Sequence, residues 1–277
     1  MSLRRFRVEL EYDGTDFSGW QVQPGVRTVQ GEVERALGLL SHQEIRVHAA
    51  GRTDAGVHAL GQVISLEMAC SIGGDQLALG LNRYLPPDVR ATRSEEVAEG
   101  FHARYSAEAK RYGYTAVIHR GARPLLSRFA GAYWPGPDVD KMKLAAQALV
   151  GEHEFAAFAA SGRQPGPTRR RVTEVRVWEA EAMELPGPLA WGGAGDDEPR
   201  AVKFVVAGEG FLYKMVRNMV GTLMEVGLDK RDVESISKAL ATGDREDCGK
   251  TAPACGLVLV GVDYGDAYPW QDPRRGD

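Results

Sequence analysis

Within AAGRTDAGVHALGQV, residues 49–63, an arginine, a threonine, an aspartate and a histidine fall between Arg52 and His58. Gly51 and Gly56 bracket the aspartate, and strand-like apolar runs lie on either side. Glycine permits backbone conformations that would strain other residues, so a tight loop is expected here. A carboxylate displayed on such a loop, Asp54, can act as a nucleophile, a general base or a metal ligand. Arg52 beside it could keep it ionised or reach a phosphate. Spacing alone favours a plainer reading, in which Asp54 closes an Asx-turn and Thr53 caps it. A third reading makes Asp54, His58 and His48 metal ligands. Such sites draw further ligands from other segments, yet His42, His102, His119 and His153 are scattered. The sequence therefore leans against a metal.

Two other stretches carry groups of interest. In FLYKMVRNMVGTLMEVG, residues 211–227, an apolar stripe from Phe211 to Leu223 has the spacing of a core-facing helix. Lys214, Arg217, Asn218, Gly221 and Glu225 recur on the opposite face. Gly221 costs a helix about 1 kcal/mol relative to alanine, which is tolerable if something must approach closely there. In FHARYSAEAKRYGY, Tyr105, Tyr112 and Tyr114 are interleaved with Arg104, Lys110 and Arg111. Aromatic and basic residues so mixed suit base stacking and phosphate contact, although strands favour aromatics anyway.

The elements that must position these groups follow from periodicity. RFRVELEY (5–12) alternates like a half-buried strand, and residues 28–40 carry a helical stripe with Thr28 as N-cap. Strands are expected at EIRVHAA and GQVISLEM, a helix at GDQLALGLNRYL, and a returning strand at VRATRSEEV. The order β-α-β-β-α-β is that of ferredoxin-like domains. It recurs with a strand at 110–119, a helix at 138–153, strands at 171–183 and 201–207, a helix at 211–227 and a closing strand at 256–265. A further helix is expected at 232–242, and LPGPLAWGGAGDDEP reads as a surface loop. The expectation is an α+β protein of two similar halves, residues 1–105 and 106–277, with mainly antiparallel sheets and a central active-site cleft. The first half carries the Asp54 loop and the second completes the cleft.

Composition narrows the class. At 277 residues, 43% apolar and 26% charged, the chain can bury a sizeable core and resembles a soluble globular protein. No run approaches a membrane span, the N-terminus reads as a strand rather than a leader, and three cysteines form no CxxC pair, so a cytoplasmic address is expected. The net charge of −4 means that any nucleic-acid partner needs a local basic surface. Candidate patches are Arg4, Arg5 and Arg7; Lys110 and Arg111; Arg120, Arg123 and Arg128; and Arg169 to Arg171.

Taken together, YDGTDFSGWQVQ, RTVQGEVERAL, AGRTDAGVHALGQV, FHARYSAEAKRYGY, GEHEFAAF, FLYKMVRNMVGTLMEVG and APACGLVLVGVDY resemble the tRNA pseudouridine synthase A family from end to end. The sequence departs from the family pattern at LPGPLAWGGAGDDEP and at RQPGPTRRRVTEV, which bears on RNA contact rather than on the chemistry. The resemblance implies isomerisation of uridine to pseudouridine at positions 38, 39 and 40 of the tRNA anticodon stem–loop. It implies Asp54 as the catalytic aspartate, Arg217 as its partner, Tyr112 as the active-site tyrosine against the target base, and Leu257 as an apolar wall of the base pocket. Arg52 would help to displace the nucleotide. Lys110 and Arg111 from the interleaved aromatic and basic stretch, with Lys214 and Asn218 from the polar helix face, are expected as further substrate contacts. It also implies a homodimer, without metal or organic cofactor and without membrane attachment, that binds the anticodon stem–loop and elbow of tRNA. A catalytically silent RNA-binding protein and a metal-dependent hydrolase built on Asp54 and His58 are the alternatives.

Overall fold

The computed structural model describes residues 2–120, 124–162, 166–180 and 200–268, so the loop expected at 185–199 lies outside the described residues. The chain divides into two compact units: residues up to Lys110 together with those from Leu259 on, and residues Arg111–Val258. Both are mixed α+β, and the strands pair mostly antiparallel.

In the first unit β1 (Leu3–Tyr12), α1 (Val29–Ser41), β2 (His48–Ala49), β3 (His58–Ala69), α2 (Leu77–Leu81) and β4 (Val89–Glu96) follow the expected order. The strands lie in the order β4-β1-β3, with β2 on the other side of β3, all antiparallel. Phe6, Val8, Leu10 and Tyr12 alternate into the core, as the pattern of β1 predicts. Thr28 caps α1 by accepting from the Gly31 N–H, and Val29, Val33, Ala36 and Leu37 form its buried face. Two elements are shorter than their patterns predict. EIRVHAA contributes only the two-residue β2, and GDQLALGLNRYL gives a single 3-10 turn followed by the five-residue α2. Beside them Ala50, Val63, Phe101, Ala103 and Tyr264 pack into one cluster. Arg7 is buried against this cluster, its guanidinium paired with Glu95 and placed over the Phe101 and Tyr264 rings.

The second unit holds most of β5 (Ala109–Ile118), then β6 (Gly131–Tyr133), α3 (Val139–Ala146), β7 (Gly151–Glu154), β8 (Arg169–Ala180), β9 (Arg200–Gly208), α4 (Met215–Gly227) and α5 (Ser235–Thr242). The strand β10 (Leu257–Asp263) begins in this unit and continues into the first. The helix expected over 138–153 stops at Ala146. A 3-10 turn follows, and Gly151, at φ +123°, starts β7, whose Glu154 pairs with Arg169 on β8. Strand pairing there outweighs the helical pattern of the run. The helix expected from 211 begins four residues later, because Lys214 sits at φ +59° in the left-handed region and interrupts helical geometry. Neither β6 nor β7 was legible as a strand, being three and four residues long. Among the described residues no helix is long and apolar enough to cross a membrane.

Candidate active site

The Asp54 loop joins β2 to β3, and its shape comes from residues distant in sequence. Gly56 takes φ +76°, the conformation for which glycine is suited, and the Val57 N–H closes the turn onto the Asp54 carbonyl at 3.1 Å. Thr53 is buried beneath. Its hydroxyl meets the Tyr12 hydroxyl at 2.8 Å, and its carbonyl accepts from the Trp20 N–H at 3.0 Å. Gln62 is fully buried and donates to the Gly51 carbonyl at 2.7 Å and to the Tyr12 hydroxyl at 3.4 Å. Tyr12 stands just past a bulge in β1, opposite Ala59, and bulges of this kind re-aim side chains. Burial pushes the Tyr12 phenol up to about 12, against the smaller opposite effect of its bonds to Thr53 and Gln62. It therefore stays protonated and neutral at physiological pH. Above this floor Asp54 is half-buried and Arg52 exposed.

His58 is a buried part of the same scaffold. Its Nδ1 accepts from the Gly14 N–H at 3.0 Å and lies 3.2 Å from Asp13 Oδ1. Among the described residues no group of three or more His, Cys, Asp or Glu side chains could hold a metal ion.

In the second unit every residue of α4 is buried except Arg217 and Glu225. The polar face expected there is covered by the segment 245–252. A Cβ on Gly221 would fall on the Lys250 carbonyl, so this glycine is explained by close backbone approach. Asn218 is wholly buried. Its Nδ2 donates to the Phe158 carbonyl at 2.7 Å, while its Oδ1 accepts from Thr251 at 2.6 Å and from Arg245 at 3.3 Å. Arg217 is clamped to the same segment twice: its Nε donates to the Ala252 carbonyl at 2.8 Å, and its own carbonyl accepts from the Ala252 N–H at 3.1 Å. Tyr114, Tyr133 and Cys255 all feel the Arg217 charge, and burial nevertheless leaves each of these acids above its ordinary value.

Tyr112 and Leu257 are nearly buried in this unit, the Tyr112 ring edge-on to Phe211 at 5.3 Å. Lys214 is half-buried with its ammonium 5.0 Å over the Tyr213 ring, and Arg111 is exposed and paired with Glu174 at 2.8 Å. In the first unit Lys110 is half-buried, and burial, with Arg104 nearby, lowers its ammonium below the usual lysine value. Tyr12, Gln62, Thr251 and Arg245 escaped the sequence reading. Their roles depend on long-range contacts that leave no local periodic mark.

Residues 10–106 and 145–265 match the family model described as tRNA pseudouridine synthase, and the chain belongs to that family. A protein of Lysinibacillus sphaericus (strain C3-41) named tRNA pseudouridine synthase A is 41% identical over 269 residues, covering 95% of this chain and 100% of the relative. The protein of that name from Brevibacillus brevis (strain 47 / JCM 6285 / NBRC 100599) is 42% identical over 262 residues, with the same coverage. Two solved assemblies align more distantly. A Cbf5-Nop10-Gar1 complex does so at 11% identity and a TM-score of 0.33, and the archaeal box H/ACA sRNP Nop10-Cbf5 complex at 12% and 0.32. Each alignment covers 92% of this chain and 58% of the matched chain.

Proposed function

We propose that this enzyme isomerises uridine to pseudouridine in the anticodon stem–loop of tRNA, at positions 38, 39 and 40, with Asp54 as the catalytic carboxylate. The observation that carries the reading is a half-buried aspartate on a loop pinned from below, in a chain that matches the synthase family over most of its length. The reaction breaks the bond from ribose C1′ to uracil N1 and rejoins the turned base through C5, and the proton on C5 is lost as N1 gains one. Atoms balance within the nucleotide, so no redox carrier or second substrate enters. A carboxylate can split the difficult step into two easier ones through a covalent adduct. The family resemblance implies Arg217 as the partner of Asp54 in this step.

A stacked base is out of reach, so the nucleotide must be extruded at a cost of about a few kcal/mol. Arg52, exposed beside Asp54, is suited to displacing it. Tyr112 and Leu257 expose little surface, which suits a single extruded base. Lys110, Arg111 and Lys214 are proposed phosphate contacts, and Asn218, being buried, supports them by holding α4 to the 245–252 segment. The enzyme is proposed to act as a cytoplasmic homodimer on the anticodon stem–loop and elbow of tRNA, with no metal or organic cofactor.

The test is Asp54→Asn on an unmodified tRNA transcript, with pseudouridine mapped by position. Turnover is expected to fall on the order of 10⁴-fold or more while tRNA binding survives. Retained modification would exclude Asp54 as the catalyst, and modification outside positions 38–40 would exclude the site assignment.

A further inference from the structure

His48, His102 and Tyr105 form a staircase of rings in the first unit. The His48 and His102 centroids lie 5.0 Å apart and those of His102 and Tyr105 4.4 Å, with planes tilted by 38° and 35°. The turn that presents them is tied down through backbone groups. The Ala103 N–H donates to Ser65 Oγ, the Ala103 carbonyl accepts from the Tyr264 hydroxyl at 2.7 Å, and His102 Nδ1 accepts from the Arg104 N–H at 3.1 Å. The outermost ring, Tyr105, is nevertheless 77% exposed. A backbone tied down before binding loses less freedom when a partner arrives.

Among the described residues, several arginines of the basic patches are neutralised, unlike Arg104 and Lys110. Arg4, Arg5, Arg111 and Arg169 each pair with a glutamate: Glu96, Glu67, Glu174 and Glu152 respectively. Among the described residues neither Arg104 nor Lys110 is in an ion pair. The Arg104 guanidinium stands 5.6 Å over the Tyr105 ring. Its charge reinforces burial in lowering the Lys110 ammonium, and it joins burial, His48 and Arg5 in lowering the His102 imidazole. Arg104 and Lys110 thus repel one another with neither in an ion pair among the described residues, and a bound anion would relieve that repulsion. An exposed aromatic ring with cations beside it suits an unpaired base stacked between phosphates, so the partner argued for is a single-stranded stretch of RNA.

We propose that this staircase is a second RNA contact, separate from the catalytic loop: one unpaired base of the bound tRNA stacks on Tyr105 while flanking phosphates rest on Arg104 and Lys110. The proposal rests on the RNA-modifying reading above. Its test titrates wild type, Tyr105→Ala, Tyr105→Phe and Arg104→Ala with unmodified tRNA at several salt concentrations. Pseudouridine formation, oligomeric state and thermal unfolding are measured on the same preparations. Tyr105→Ala is expected to weaken tRNA binding by about 5- to 150-fold, the range of one base–aromatic stack, and Tyr105→Phe to stay within about twofold. Arg104→Ala is expected to weaken binding and to make the salt slope shallower by about one. In both weakened variants KM should rise more than kcat falls.

Binding by Tyr105→Ala and Arg104→Ala within about twofold of wild type, with an unchanged salt slope, overturns the proposal even as pseudouridine formation continues. A changed oligomeric state with unchanged tRNA affinity also overturns it and assigns the rings to a protein contact. If the wild type makes no pseudouridine, the underlying reading fails and takes the proposal with it.

Discussion

Tyr12, Trp20 and Gln62 hold the backbone and side chains of residues 51–53, and through them set where Asp54 stands. Tyr12 makes this arrangement testable without touching the carboxylate. Tyr12→Phe keeps the ring but strands the buried Thr53 hydroxyl, which should cost about 1–2 kcal/mol of stability by denaturant unfolding. If Tyr12 acts by positioning Asp54, steady-state kinetics should show kcat down about tenfold with KM within about twofold. Equal changes in both parameters would make it a structural residue alone. The same phenol gives a pH signature. Its folded value, about 12, lies above the ordinary tyrosine value of 10.0. Its contribution is therefore fully present below pH 10 and is lost as pH rises towards 12, a difference of about 2–3 kcal/mol. Stability should accordingly fall more steeply across that window in wild type than in Tyr12→Phe.

Elements with strong local signals formed where the sequence places them. The N-cap at Thr28 is one, and Thr28→Ala should cost about 1 kcal/mol, read from the denaturant midpoint. Where long-range pairing decides, local signals mislead: the pattern over 138–153 continues past Ala146, yet residues 151–154 are claimed by β8. In α4 the amphipathic reading correctly located the apolar stripe, but the opposite face is covered by a neighbouring segment rather than by water. Gly221→Ala separates these views. On an open face alanine would stabilise the helix by about 1 kcal/mol. Against the Lys250 carbonyl it should instead destabilise by about 2–3 kcal/mol, since backbone cannot move aside as a flexible side chain can. Loosening the 245–252 segment would also release the Ala252 clamp on Arg217, so activity should fall with stability.

Across the whole molecule the charge balance is acidic, with a net −4, so RNA affinity has to come from local cations. Binding to tRNA should weaken by about 10- to 1,000-fold between 50 and 200 mM salt, the response to several phosphate contacts. A flat salt response would move the RNA to another surface. The sequence by itself determined the mixed α+β class, the first-unit element order, the Asp54 loop and the family, because periodicity, caps and ordered motifs are properties of neighbouring residues. Only the tertiary structure decided which polar groups are available. Helical spacing says that Lys214, Arg217 and Asn218 share a face, but not that the 245–252 segment buries Asn218 and clamps Arg217. Composition counts arginines, but not that Glu96, Glu67, Glu174 and Glu152 neutralise four of them while Arg104 stands over the Tyr105 ring. Both outcomes depend on which distant segments meet. That is set by the summed burial and pairing of the whole chain, which no local window contains.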